Sequence, residues 1–584
     1  MKYALLISIF ITAMSFTFNS EPEDSNDQLN SLFKKYDEYN LRSSPEGATY
    51  EGDHRYDDLL SDNSETAILA SYDTTRQFLQ ELQTIDYASL NYDNKLNYDL
   101  FKSSLEESIE NEKFKWYYMP MGQQWGVHIN FPQLVYIQPT STYDEYQKYF
   151  KRLNAFPGIV DNEIANMRKG IAAGQMPPVF IMEQTLPQME AVMNVEPDKS
   201  IFYSVINNEN KLSPEEKQIV SKELKEIIEK SINPSFKKLH DFVRDEYLPK
   251  CRTDAGVWSM PDGKERYENA VKDYTSLNLT AAEVHELGLS EVNRIKAEME
   301  KVKEKTGFKG TIDEFNNFLK TDEQFYYKNK EDLMNGFREI LKKVDTKLPE
   351  LFGRLPEAKY DLREMEEFRA PSAPAAYYYS APEDRSRPGY FYVNTYNLSA
   401  RPKYTMTSLA MHEAVPGHHL QISIAQELKD MPKFRKNLGE TAFVEGWGLY
   451  SESLGYETGM YDDLYQMYGA LTFEMWRACR LVVDTGIHDM KWTREQAFEY
   501  MKKYTPTSDQ DLQSEIDRYI SWPGQALAYK IGELKIKELR KRAEDKLGDK
   551  FDDREFHDTV LKNGAISLPL LEKVVNEWIA TKIN

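Results

Sequence analysis

Apolar residues recur at three- and four-residue spacing through most of this chain, the mark of helices with one buried face. The pattern is clearest over 143–170 and 213–248. Ser213-Pro214-Glu215-Glu216 opens the second stretch with an N-cap, a proline in the first turn and acids near the helix start. Thr280-Ala281-Ala282-Glu283 is a capping box and predicts a helix to about residue 305. Thr493 to Gln496, Ser508 with Asp509 and Asp511, and the tail near 567–580 start further helices. Strand-like alternation is concentrated in Ala375 to Ser380 and Gly389 to Tyr396, which are rich in tyrosine and bounded by Pro and Gly. No internal repeat stands out. The pattern predicts a mainly α fold of one unit over 31–584. Its two lobes, about 31–260 and 261–584, meet at a deep cleft, with a small β-sheet just before residue 411. The turn-rich Arg252–Lys264 stretch is expected to join the lobes.

The ends change this picture. Residues 1–20 have Lys2 at the start, an apolar stretch from Leu5 to Met14 and small residues after it, as in a secretory signal. The stretch is too short to span a membrane comfortably, and no later run reaches about 18 apolar residues. Residues 21–30 are polar and acidic and are expected to be a flexible leader. The expectation is an exported protein, periplasmic or extracellular, without stable membrane insertion. Cys251 and Cys479 are its only cysteines, so a disulfide between them is the one pairing open to it. Neither stands near the signal, which argues against a lipid anchor. Hydrophobic content of 41% and charged content of 29% fit an ordinary globular protein. A net charge of −22 without any Lys/Arg-rich run argues against nucleic acid as a partner.

Three of the nine histidines fall in Met411-His412-Glu413-Ala414-Val415-Pro416-Gly417-His418-His419, beside a glutamate. Imidazoles hold zinc, and a neighbouring carboxylate moves a proton. The order is not H-E-x-x-H, where histidines at i and i+4 share a helix face. On a straight helix, His418 falls about 120° off the His412 face, and His419 lies about 10 Å along the axis. One zinc can take His412 and either of them only if the helix is interrupted. Pro416 removes a helix hydrogen bond, and Gly417 permits unusual dihedrals. A bulge there would return His418 or His419 to the metal; His418 is preferred, and the other would orient a ligand or touch substrate. Glu445 is the best third ligand and Glu440 its rival. Glu445 and Glu452, seven apart, share a face that can supply one ligand and one supporting carboxylate. Gly446 and Gly448 would let that helix pack closely. Glu413 is the expected general base. His285-Glu286, with no second histidine nearby, reads as a structural pair.

HEAVPGHHLQ followed by EGWGLYSE resembles the bacterial domain-of-unknown-function 885 family, and similar segments, from GVWSMPDGKERY to EIDRYISWPGQALAY, run over most of the chain. That family is regarded as distantly similar to helical zinc peptidases such as angiotensin-converting enzyme and thimet oligopeptidase. The resemblance implies a two-lobed metallopeptidase-like fold, one zinc ion and short peptides as substrate. Glu445-Gly446-Trp447 also resembles the Glu-Gly-aromatic ligand motif of zinc aminopeptidases, which favours Glu445 over Glu440. The family resemblance also implies His and Tyr donors to the oxyanion downstream of the third ligand. His488 and Tyr519 are the nominees, with Tyr529 as rival or substrate contact. Arg480, Asp484 and His488 recur every four residues and so share a polar face, which suits a salt-bridged helix end equally well. An exposed edge of the strand at 389–396 would bind an extended peptide, with Asn394 and Tyr396 as contacts. A metal-dependent amidase or esterase would use the same ligands. A non-catalytic binding protein would have lost Glu413 or a ligand, and all are present.

Overall fold

The computed structural model describes residues 24–365, 370, 374–382, 385, 387–429, 431–436 and 438–583. The expected signal at 1–20 lies outside them. The first described helix, Ser25–Ser43, begins inside the stretch expected to be a flexible leader. Asp24 caps it by accepting from the Asn26 N–H, and Leu29, Leu32 and Phe33 form a buried stripe. Three apolar side chains at this spacing, each worth about 2 kcal/mol when buried, outweigh the polar composition between them.

The periodic segments are helical as expected. Tyr143–Ala173 starts at a Thr142/Glu145 capping box and stops at Gly174, which takes a left-handed φ of 67°. The stretch from 214 runs as Pro214–Ile227, a π turn at Ile228–Ile232, the helix Asn233–Phe242 and a second π turn at Val243–Tyr247. The first wide turn stands just before Pro234, whose missing N–H disrupts the regular ladder. Ala281–Lys305, Arg494–Tyr504, Asp509–Ser521 and Leu568–Ile583 complete the expected set.

Three strands form one mixed sheet in the order β1-β3-β2. β1 is Tyr360–Glu364, β2 is Ala376–Tyr379 and β3 is Gly389–Val393. β1 runs parallel to β3, with Tyr360 opposite Gly389, and β2 runs antiparallel to it, with Ala376 opposite Val393. Leu362, Phe391 and Val393 bury one face of the sheet against Ala410 and Ala414 at the His412 helix.

Apolar cores are shared unevenly along the sequence. One core lies wholly between Met121 and Tyr247. The helices at 29–105 instead pack into a core with residues 411–579. A cavity of about 960 Å³ lies where these parts meet, walled by residues 104–125, 177–181, 252–274, 438–441 and 520–523. Among the described residues no helix is long and apolar enough to cross a membrane. Cys251 and Cys479 are both free.

Candidate metal centre

The helix Met406–Glu413 carries His412 and then breaks. Ala414 and Gly417 leave helical geometry, and a second helix, His418–Gln426, begins at once. The break is closed by its own hydrogen bonds: Gly417 N–H donates to Met411 O at 2.9 Å, and His419 N–H donates to Ala414 O at 3.0 Å. Gly417 is required here by close approach, because a Cβ would lie 1.9 Å from the His412 carbonyl oxygen. The Trp447 indole donates to Pro416 O at 2.8 Å and pins the break to the next helix. As the Pro-Gly pair led us to expect, the chain folds back, and the His418 ring meets the His412 ring at 4.7 Å and 85°.

The helix Thr441–Glu457 supplies the carboxylates. Glu445 Oε2 stands 3.7 Å from His412 Nε2 and 3.6 Å from His418 Nε2. Seven residues on, Glu452 Oε1 takes the other side of the same ring, 2.8 Å from His412 Nδ1. Glu452 is held in turn by Ser408 Oγ at 2.7 Å and by Arg477 at 3.4 Å. The His412 ring fits against this helix because residue 448 is glycine, where a Cβ would lie 2.7 Å from Cε1.

Three potential ligand atoms, from His412, His418 and Glu445, all lie within 4.8 Å of one another. Metal–ligand bonds of about 2.0–2.2 Å in a tetrahedron put ligand atoms roughly 3.4 Å apart, so a small contraction seats zinc. Two imidazoles and one carboxylate suit that ion and leave a fourth position open. The Glu452–His412 pair is the carboxylate–histidine arrangement that fixes which ring nitrogen faces the metal.

The electrostatics show how tightly these groups depend on one another. Burial would lower His412, but the Glu445 and Glu452 carboxylates prevail and hold it up at about 9. His418 is lowered by burial and by the His412 charge, and its Nδ1 is buried without a partner. Burial would raise Glu445, but the two histidines and the Arg480 charge hold it at about 2. Two rings and a carboxylate crowded together without full hydrogen bonding are the donor set that a cation completes. Glu413 is half-buried, and its charge bears on both His412 and His418.

The model of the family described as "Bacterial protein of unknown function (DUF885)" matches residues 45–575. The chain belongs to that family. A "putative lipoprotein" from Colwellia psychrerythraea superposes with a TM-score of 0.91 at 29% identity, covering 96% of this chain and 100% of that one. A "putative lipoprotein of unknown function" from Shewanella oneidensis superposes at 0.76 with 18% identity, covering 95% and 100%, and shares the fold. None of the curated proteins compared with the chain matches it.

Several expected site residues of this DUF885 chain lie elsewhere. His419, the alternative ligand, points away from the cluster: Nδ1 pairs with Tyr378 Oη at 2.8 Å, and the ring packs on Tyr360. It ties the second helix to the sheet and touches neither ligand nor substrate space. Glu440 is outside the cluster and lines the cavity. His488 is not free to donate, since Val257 N–H donates to its Nδ1 at 3.2 Å and its Nε2 donates to Tyr519 O at 3.0 Å. Tyr519 is fully buried, with its hydroxyl donating to Glu515 at 2.7 Å and accepting from Arg480 at 2.9 Å and Trp476 at 3.0 Å. Asn394 is 1% exposed and spends its amide on Ala370 O and Pro374 O, so it is a turn residue and not a substrate contact. Tyr396 is 67% exposed.

Tyr529 lies within electrostatic reach of Glu445. It is half-buried, its ring lies 4.3 Å from the Arg480 guanidinium, and burial followed by the Glu445 charge raises its hydroxyl. Sequence reasoning did not find Ser408, Arg477 or Arg480 as supports. Ser408 lies four residues before His412 on the same helix face, a usable signal. The two arginines come from the helix Leu464–His488, whose register against Glu445 and Glu452 no local pattern reveals. His285 pairs with Thr485 at 2.8 Å and is structural, as expected.

Proposed function

We propose that the protein is an exported zinc-dependent hydrolase that cleaves short peptides. The observation that carries this reading is the convergence of His412 Nε2, His418 Nε2 and Glu445 Oε2, with Glu452 backing the far side of His412. A bound zinc ion would polarise the scissile carbonyl and make its water acidic enough to react near neutral pH. Glu413, beside both histidines, takes the proton of the attacking water and delivers it to the leaving amine. Tyr529 donates a hydrogen bond to the oxygen that gains charge. His412 and His418, with a smaller contribution from Arg480, keep Glu445 ionised, and Arg480 packs against the Tyr529 ring. The partial burial of the cluster within helices, and the family's distant similarity to helical oligopeptidases, support short peptides rather than folded proteins as substrate. The charged, then apolar, first twenty residues and the lipoprotein descriptions of both solved relatives support export to the periplasm or beyond.

Metal content and a peptide-library assay of wild type and Glu413→Gln test this reading together. The expected result is one zinc per chain in both proteins and a loss of about 10²–10⁴ in kcat for the variant. Absence of stoichiometric metal with equal inertness of both proteins overturns it.

A further inference from the structure

The 960 Å³ cavity is not lined by the metal-centre residues, yet two elements connect it to them. Glu440 and Thr441 form its wall at the start of the helix that carries Glu445, and Trp522 and Pro523 form it just before Tyr529. Glu440 lies five residues before Glu445, about 7.5 Å along the axis at 1.5 Å per residue. An extended peptide advances about 3.3 Å per residue, so that offset is roughly two residues.

The wall is aromatic and acidic. Trp125 and Tyr274 flank Trp522 at 6.4 and 6.3 Å, and Trp522 is 42% exposed. Glu107, Asp273 and Glu440 supply carboxylates. Glu440 occupies the N-cap position but makes no cap hydrogen bond, and burial alone pushes it up to about 7. Glu107 is raised as far, by burial first and then by the Asp273 and Glu440 charges, so it stands within electrostatic reach of both.

Among the described residues of this wall, the buried polar atoms without a partner are Asn269 Oδ1 and Asp273 Oδ1, and both are acceptors. The Asn269 amide is fixed in orientation, since its Nδ2 donates to Asn111 and Asp273 at 2.9 and 2.8 Å. The cations of the wall are spent on protein oxygens. Arg252 donates to Met176 O, Asp254 O and Gly256 O. Arg266 donates to Pro261 O, Phe114 O and Gln175 Oε1 while lying 4.9 Å from the Trp116 ring. Unmet acceptor oxygens, nearby carboxylates and open indole faces are what a donor-rich cation requires.

We propose that this cavity is the subsite for a cationic group of the peptide, an amine or guanidinium, about two residues from the bond that is cut. The placement rests on the peptidase reading; the charge preference does not.

Calorimetry on the whole protein carrying Glu413→Gln, which the peptidase reading leaves unable to cut the probes, separates the two without turnover. The probes are uncharged Ala/Gly heptapeptides blocked at both ends with a single Arg, Lys or Glu, and one with a free amino terminus and no charged side chain. The Arg or Lys probe, or the free-amine probe, is expected to bind roughly tenfold more tightly than the Glu probe. Which of them does so tells a side-chain cation from a chain terminus. Glu440→Gln with Asp273→Asn should reduce the preference to about threefold or less. Should that variant not fold, the preference of the Glu413→Gln protein should shrink as salt rises, accompanied by quenching of tryptophan fluorescence by the Arg probe. Equal affinities, tighter binding of the Glu probe, or a preference unmoved by both the variant and salt overturns the subsite. Cation preference without cleavage of any peptide overturns the peptidase reading and keeps the cation site; cleavage without charge preference does the reverse.

Discussion

Two buried polar clusters sit near each other around the Leu464–His488 helix, and they close in opposite ways. In one, Asp484, His488 and Tyr519 finish on the fold itself: Asp484 accepts from Tyr267 Oη at 2.6 Å and Gly524 N–H at 3.1 Å, and both His488 nitrogens pair with backbone. In the other, His412, His418 and Glu445 face mainly one another, and a His418 nitrogen has no partner. Arg480 stands between them, bonded to Tyr519 and Glu515 while its charge reaches Glu445. Histidine, tyrosine and acid occur in both. A cluster whose groups are closed by backbone and by surrounding structural side chains holds helices together. A cluster of side chains facing side chains, incompletely bonded, is where a ligand fits.

The sharpest way to break this contrast is to remove one histidine from each part. His418→Ala should lose zinc and lower kcat by about 10³-fold or more, whereas His419→Ala should keep one zinc and lose about 1–3 kcal/mol of stability. Metal analysis beside thermal melts reads both, and loss of zinc from His419→Ala would reverse the ligand assignment. Next come the tyrosines. Tyr529→Phe should reduce kcat about 10²-fold with little change in melting, while Tyr519→Phe should cost about 1–3 kcal/mol and leave the kcat of the folded enzyme intact. Removing the support is milder still: Glu452→Gln should weaken zinc affinity about 10–100-fold, as measured by competition with a chelator. The smallest effect is a slope. Burial raises Asp484 to about 7 from its ordinary 3.8. Its contribution is therefore fully present at acid pH and is lost as pH rises through that window, at no more than about 1.4 kcal/mol per pH unit. Asp484→Asn should flatten that part of the stability–pH curve; an unchanged slope would mean that Asp484 is ionised throughout.

The same contrast explains what was readable in advance. The helices announce themselves through capping boxes such as Thr280/Glu283 and Thr493/Gln496, which act within four residues. The convergence of His412 and His418 across the Pro-Gly break, and the shared face of Glu445 and Glu452, were legible because spacing along one helix or one turn fixes their relation. His488 and Tyr519 were misread because a four-residue repeat defines a face but not what packs against it. Here the answer is the backbone of residues 257 and 519. β1 was not anticipated, since Tyr360–Glu364 reads YDLRE, with charges where alternation would show. Asn394 looked like a contact on a strand, but its amide turns inward to serve the chain before β2. The leader was misjudged because composition outweighed three correctly spaced apolar residues.

The Glu445 helix crosses the helix Ala528–Leu547 at Gly446 and Gly532, where an added Cβ would meet backbone at 2.5 Å and 1.8 Å respectively. Two bare backbones in contact leave no side chain to adjust the spacing, so Glu445 is delivered by a fixed joint. Anyone grafting this centre into another helical scaffold should transplant that joint first. The three ligands copied without it would be parts removed from the frame that sets their distances.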